Sequence, residues 1–317
     1  MKKNTDAPVS DAAGVEKLGC EVKFLLDADR VLAKGKRLKK KFRALFEMEP
    51  HAQAIDVLYL EALDRAFHAE GWVVRVRWKE GKNKTELAFK KRYPVDGADE
   101  AAVQSALRQA EADGFVLAVE DGYKSELDWG YAKKTLSFTW RPFDAFKKLK
   151  VTDWFSAWAA AAFLEEAMTA DEEDWRAVEW AVSTLERAQL IGPIRIKRYR
   201  GQWDGVGVTV ELCPIGEGKT IAELSFKADD WKAAAETRSR LMAFLDEQGL
   251  LIHGDSLKTQ AILNAALPAV KKEEHSEPIT DCGEEATGPQ EQTSGSAPSP
   301  DDGIGESRSE PTAPANT

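Results

Sequence analysis

Polar and apolar residues alternate along several short segments of the chain, and this period of two predicts β-strands with one apolar face. The clearest example is the segment 72–78, where Arg75 and Arg77 share one face with Val73, while two tryptophans and two valines occupy the other face. The segment 85–92 follows after a short polar turn, so the two segments are predicted to form a β-hairpin.

The same alternation predicts further pieces of sheet. They are an opening strand at 20–26, a second hairpin from 124–128 and 134–140, and three strands at 194–200, 206–213 and 220–227. Helical periodicity is found at about 100–112, 152–169, 172–189 and 229–248. Antiparallel strands interrupted by helices indicate an α+β fold with a large curved sheet or barrel.

The predicted strands carry charged residues on the face opposite the apolar one. An ordinary sheet with one solvated face has this pattern. The apolar face, however, also carries large aromatic residues that need a covering layer of helices, among them Phe24, Trp72, Trp78, Phe89 and Phe226. A sheet covered on that side can close around its charges, and Lys and Arg lining such a barrel would bind phosphate oxygens. Carboxylates among them would suit Mg²⁺ or Mn²⁺, because the sequence lacks the His and Cys spacing of a zinc site.

Composition narrows the class of protein. Of 317 residues, 43% are hydrophobic and 31% are charged, which is typical of a soluble globular chain. No apolar run approaches the roughly 18 residues of a membrane span, and the polar start has no signal-peptide core, so we expect a cytoplasmic protein with no membrane partner. Three well-separated cysteines exclude a disulfide scaffold, and four scattered histidines argue against zinc and triad hydrolases.

The net charge of −10 is concentrated near the C-terminus. From residue 271 onward, 11 acidic residues stand against 3 basic ones, six of the 13 prolines occur, and there is no aromatic residue. Such a segment cannot bury enough apolar surface to offset the entropy of ordering. We therefore predict a disordered N-terminus over 1–15, one folded domain over 16–268, and a disordered acidic tail over 269–317.

Two other segments have several interpretations. Residues 34–43 contain seven Lys or Arg; a solvated helix face is the usual meaning, although the cluster could attract polyphosphate or bind nucleic acid. The near-neutral remainder of the chain, with 43 acidic and 41 basic residues before position 271, disfavours nucleic acid as a partner. The segment 216–220 is partly similar to a P-loop but lies between two strands, so a hairpin turn is predicted.

Several segments resemble motifs of the CYTH family, the triphosphate tunnel metalloenzymes. Residues 21–26 are similar to the second half of its ExExK opening strand. The segment 56–61, followed by Gly71 and the strand with Arg75 and Arg77, resembles its "Y-D-T … G … L-R-x-R" region, and 86–90 resembles its "L-T-x-K" strand. Residues 221–227 and 255–258 resemble the "E-L-E-L-K" strand and a Ser-Lys element of the inorganic triphosphatase branch.

This resemblance covers most of residues 17–262 in the same order, and it implies a fold and a ligand. The fold would be an eight-stranded antiparallel β-barrel, the triphosphate tunnel, with outer helices. It would bind a triphosphate or polyphosphate together with Mg²⁺ or Mn²⁺. Lys23 and Glu21 would be catalytic, with Lys23 orienting the attacking water, and the candidate metal ligands are Glu21, Glu211 and Glu223. Candidate phosphate ligands are Arg75, Arg77, Lys90, Lys227 and Lys258, to which strand alternation adds Arg195 and Lys197.

Two departures from the family pattern leave two functions open. Gly19 stands where ExExK has its first Glu, and Ser225 stands where E-L-E-L-K has its second, so two carboxylates that should bind metal are missing. Glu126 and Asp128 could replace them, or could lie at a solvated hairpin end. The chain is thus either a metal-dependent triphosphate hydrolase or a non-catalytic polyphosphate- or nucleotide-binding module. Cyclase chemistry is disfavoured because the His-Phe pair of the class IV cyclase opening strand is missing.

Overall fold

Nine strands close into a barrel within the part of the chain that the computed structural model describes, which is residues 18–34, 36–81, 85–115, 123–141, 178–255 and 258–267. Going round the barrel, the order is β1-β11-β10-β9-β4-β5-β6-β8-β7. The barrel strands are β1 (Cys20–Leu26), β4 (Gln53–Glu61), β5 (Trp72–Lys79), β6 (Thr85–Val95), β7 (Tyr123–Trp129), β8 (Lys134–Trp140), β9 (Gln189–Trp203), β10 (Val206–Pro214) and β11 (Thr220–Ala228). A separate two-stranded sheet pairs β2 (Leu32–Ala33) with β3 (Arg37–Leu38).

The barrel confirms the α+β prediction but corrects the strand count and direction. A ring with an odd number of strands cannot alternate direction at every junction, so at least one neighbouring pair must be parallel. That pair is β1 and β7, in which Glu21 lies beside Asp128, and the other junctions are antiparallel. The eight-stranded, wholly antiparallel expectation was therefore wrong.

The additional strand is β4, which does not alternate cleanly. Its pairing with β9 shifts between Val57 and Tyr59, and its last residues, from Val57 to Glu61, are all buried. A bulge of this kind disturbs the inward–outward alternation of a strand, so a period of two does not identify it. The adjacent β5 and β6 form the predicted hairpin, and so do β7 and β8.

Helices cover the outer face of the barrel, as the aromatic residues there required. The described helices are α1 (Ala28–Val31), α2 (Lys40–Leu45), α3 (Ala66–Ala69), α4 (Glu100–Ala112), α5 (Val178–Glu186), α6 (Trp231–Glu247) and α7 (Lys258–Ala266). The predicted helices at 100–112 and 229–248 correspond to α4 and α6. The segment 152–169 and the first part of 172–189 lie outside the described residues, as do the predicted disordered segments 1–15 and 269–317.

The outer core joins these helices to the barrel. Phe24 and Phe226 pack with Leu241 and Leu245 of α6, while α4 packs against β6 and β8. Residues 216–219 form the predicted hairpin turn, in which the backbone N–H of Ile215 donates to the carbonyl of Lys219. No helix among the described residues is long and apolar enough to span a membrane.

A second apolar cluster lies on the inner face. Val57 is paired with Arg77 and Tyr59 with Arg75, so these residues share the face of the charged side chains. Ile262, Leu263 and Leu267, at the C-terminal end of the described chain, pack on this cluster. One part of the barrel interior is therefore apolar and covered by α7, and the remainder is charged.

Candidate functional site

Strand register brings charged side chains from separate strands to the interior. On β1, Glu21 pairs with Lys227 and Lys23 pairs with Ser225 of β11, while Glu21 also lies beside Asp128 of β7. Ion pairs between strands that are not neighbours show that this face is the concave one. An example is Lys90 of β6, which reaches Asp128 past the intervening β8.

Three carboxylates form a compact group at one side of the interior. Glu21, Glu126 and Asp128, here called the carboxylate trio, offer oxygen atoms that all lie within 4.8 Å of one another. Lys23 Nζ lies 2.9 Å from the Glu21 carboxylate and 2.5 Å from that of Asp128. Lys90 Nζ lies 2.6 Å from the other Asp128 oxygen, and Lys227 Nζ contacts Glu126 at 2.5 Å.

Electrostatics around the trio follow from burial combined with close opposite charges. Burial tends to raise the pKa of Asp128, but Lys23 and Lys90 outweigh it and hold that pKa well below its usual range. Burial likewise opposes the charge of Lys23, yet Asp128 and Glu21 raise its pKa. For Lys90, burial dominates and is reinforced by Lys23 and nearby arginines, so its pKa falls to about 7 despite the contact with Asp128. The pKa values of these two lysines are therefore shifted in opposite directions.

Arg75 and Arg77 lie on the same inner face, and the described carboxylates do not pair with all of their N–H groups. Burial and the neighbouring Arg77 lower the pKa of Arg75 to about 10. The Nε atoms of Arg75 and Arg77 are buried and have no hydrogen-bond partner among the described residues. Arg77 does pair with Glu86, which also contacts Arg141, but the described part of the chain provides no ion pair for Arg75.

Two more carboxylates form a separate group farther along the barrel. Glu211 of β10 lies directly opposite Glu223 of β11, and both contact Lys258 Nζ, at 2.6 and 2.9 Å. Arg198 also contacts Glu211. Glu21 does not join this group, because the β1–β11 register places it opposite Lys227, four residues beyond Glu223. The expected ligand set of Glu21, Glu211 and Glu223 is thus divided between two places.

The structure brings most of the sequence-predicted residues to the interior. These are Glu21, Lys23, Arg75, Arg77, Lys90, Glu211, Glu223 and Lys258. Lys227 contacts Glu126 from the same face of the sheet, but its side chain is 57% exposed. The exceptions are Arg195 and Lys197. Arg195 pairs with Asp56 on the outer face, and its side chain is 64% exposed. Lys197 is beside Ala54, also on the outer face.

The placement of Arg195 and Lys197 has a specific cause. The sequence pattern predicts that Ile194 and Ile196 face outward. In the structure, both belong to the apolar part of the interior. The inner face of β9 therefore changes from isoleucine to arginine along the strand, and Arg198 lies inside. The adjacent basic pair at 197 and 198 marks that change in the sequence.

The site also contains residues outside the main set that the sequence predicted. Glu126 and Asp128 were possible replacements for the missing carboxylates, and the parallel β1–β7 pairing is what places them beside Glu21. Arg198 and Arg141 were not identified. The basic segment 34–43 lies outside the barrel interior, and its exposed side chains are Lys34, Lys36, Arg37, Lys40 and Lys41.

Comparisons with known proteins give structural matches only. Scans of family models and of curated proteins find no match. A Hippeastrum protein described as a candidate adenylyl cyclase with a dominant triphosphatase activity matches with 13% identity and a TM-score of 0.49, over 80% of this chain and 99% of that one. A candidate adenylate cyclase from Bacillus halodurans matches with 12% identity and a TM-score of 0.43, over 77% and 97%. A protein from Pyrococcus horikoshii matches with 14% identity and a TM-score of 0.36, over 76% and 97%.

Proposed function

We propose that this protein hydrolyses a triphosphate, inorganic or organic, with Mg²⁺ or Mn²⁺ inside its barrel. The observation that carries the proposal is the state of Arg75 and Arg77. Their buried Nε atoms have no hydrogen-bond partner among the described residues and share the interior with the carboxylate trio. A buried donor without an acceptor costs about 1–3 kcal/mol, and phosphate oxygens entering the barrel would satisfy both donors.

The carboxylate trio fits the proposed metal. Its donors are all carboxylate oxygens, within 4.8 Å of one another, and hard oxygen ligands are those that Mg²⁺ and Mn²⁺ prefer. When bound there, the ion supplies positive charge to the oxygens around the reacting phosphorus. Lys23, Lys90 and Lys227 contact the trio, and their flexible side chains can turn from the carboxylates to phosphate.

The residues of the chain supply binding, orientation and charge. Arg75, Arg77 and Lys90 bind the phosphate chain and stabilise the charge that spreads over its oxygens in the transition state. Lys23 donates a hydrogen bond to water and orients it for in-line attack on the terminal phosphorus. The water oxygen forms the new P–O bond, the bond to the bridging oxygen breaks, and the diphosphate end leaves while the water proton passes to solvent.

A non-catalytic polyphosphate- or nucleotide-binding module is the second candidate. It is favoured by Ser225, which lies opposite Lys23 on the inner face, and by Gly19, just before β1, because neither residue has the carboxylate that a complete metal site would have. In this case the arginines and lysines would bind the polyanion, and phosphate would not be released.

Phosphate release from tripolyphosphate, with Mg²⁺, with Mn²⁺ and with chelator, tests the proposal. We expect metal-dependent release that Glu126→Gln abolishes, because one carboxylate of the trio is lost while the arginines remain. Glu217→Gln is the matched control, since Glu217 lies in an exposed turn. Tripolyphosphate binding without release would favour the non-catalytic module, and absence of binding would contradict both functions.

A further inference from the structure

The strand register places two carboxylates, Glu211 and Glu223, side by side on the inner face. The two residues are direct cross-strand neighbours on the inner face, so their Cβ atoms lie about 4.5–5.5 Å apart whatever their rotamers. Their side chains are only 14% and 6% exposed. Two carboxylates so close and so poorly solvated repel each other, and a cation between them offsets that repulsion.

Among the described residues, two cations contact the pair: Arg198 of the neighbouring β9 contacts Glu211 alone, whereas Lys258, at the start of a helix, contacts both carboxylates. Lys258 is the first residue of α7, and its Nζ lies 2.6 Å from Glu211 Oε2 and 2.9 Å from Glu223 Oε1. Ile262 and Leu263, about one turn later, pack on the apolar part of the inner face. The backbone that carries Lys258 is therefore anchored inside the barrel.

We propose that the Lys258 ammonium occupies the cation position between Glu211 and Glu223, so that this pair does not bind a divalent metal in the native protein. The number of ligands supports this assignment. The carboxylate trio offers three oxygen ligands, whereas this group has two carboxylates and, at the next inner position of β11, the hydroxyl of Ser225. A lysine needs only the two contacts that it makes here, while a divalent ion prefers six or more oxygen ligands.

The inference goes beyond the proposed function, because it concerns a second cation position and can be tested without hydrolysis. Mn²⁺ titrations of the full-length protein, followed by electron paramagnetic resonance and calorimetry, measure the number of ions per chain. We expect Lys258→Met to bind one more ion than the wild type, and Lys258→Met/Glu211→Gln to lose it again. Lys258→Arg, which keeps the charge, should bind the wild-type number. Every variant retains the acidic C-terminal segment, so weak binding there cancels in the differences.

The wild-type background provides the complementary measurement. Glu211→Gln and Glu223→Gln should leave the number of bound Mn²⁺ ions unchanged, since neither residue binds metal while Lys258 is present. A lower number in either variant would overturn the inference, as would a folded Lys258→Met protein that gains no ion. If Lys258→Met does not fold, the two glutamine variants decide alone. A protein that releases no phosphate but gains an ion on Lys258→Met would refute the proposed hydrolysis and support this inference.

Discussion

Lys90 is the site residue whose effect on stability can be worked out most directly. It is 6% exposed, and burial together with nearby cations lowers its pKa from the ordinary value of 10.5 to about 7. At about 1.36 kcal/mol for each pH unit, charging this amine in the folded protein costs about 4–5 kcal/mol relative to the unfolded chain. Much of that cost applies at pH 7, where the unfolded chain is protonated and the folded protein is about half protonated.

Lys90→Met removes the amine and keeps a side chain of similar length. The variant also leaves the buried Asp128 carboxylate without its 2.6 Å contact to Lys90, which offsets part of the gain. Allowing for this loss and for about 1 kcal/mol of imperfect packing, we expect the free energy of unfolding at pH 7 to rise by about 1–3 kcal/mol. Because the folded pKa lies below the unfolded one, wild-type stability should rise from pH 7 towards pH 10. The variant should lack this contribution to the slope. Urea unfolding at pH 7 and pH 9 measures both effects.

A control and a refuting result complete this experiment. Lys41→Met changes an exposed lysine on the outer surface, and it should alter stability by less than about 0.5 kcal/mol at either pH. If Lys90→Met is less stable than the wild type at pH 7, the charged amine is not costly in the fold. The inference that Lys90 lowers the stability of the fold because its charge is needed for phosphate binding would then be wrong.

Three further predictions concern ligand binding. Arg75→Ala should weaken tripolyphosphate binding about 10- to 100-fold by calorimetry, since a charge-assisted contact worth about 1.5–3 kcal/mol is lost, and unchanged affinity would place phosphate elsewhere. Arg195→Ala should leave the KM for tripolyphosphate unchanged, because its side chain lies on the outer face with Asp56, and a raised KM would contradict that placement. Gly19→Glu should tighten Mn²⁺ binding, because it adds a carboxylate to the three of the trio. The added Cβ is accommodated, since its nearest neighbour, Ala228 O, lies at 3.7 Å. Weaker binding would count against the trio as the metal site.

Local sequence pattern determines much of the barrel by itself. Inward and outward alternation depends only on a strand's own sequence, so β5, β6, β8, β10 and β11 could be recognised individually. The same parity placed Arg75, Arg77 and Lys90 together on the charged face, opposite the aromatic residues that helices cover. The alternation did not predict two strands correctly. In β4 a bulge disturbs the period of two, and in β9 the inner face changes from isoleucine to arginine, so its inner residues were assigned to the wrong face.

Contacts between distant segments were decided only by the tertiary structure. Lys23 and Asp128 are 105 residues apart, and they meet because an odd ring of strands closes through the parallel pair of β1 and β7. Lys258 reaches Glu211 because α7 packs inside the barrel, and this short helix was not predicted. Alternation determines which face of a strand a residue occupies, but it contains no information on which strand becomes its neighbour. The charged character of the interior could therefore be inferred from sequence, whereas the grouping of its carboxylates depends on register and closure.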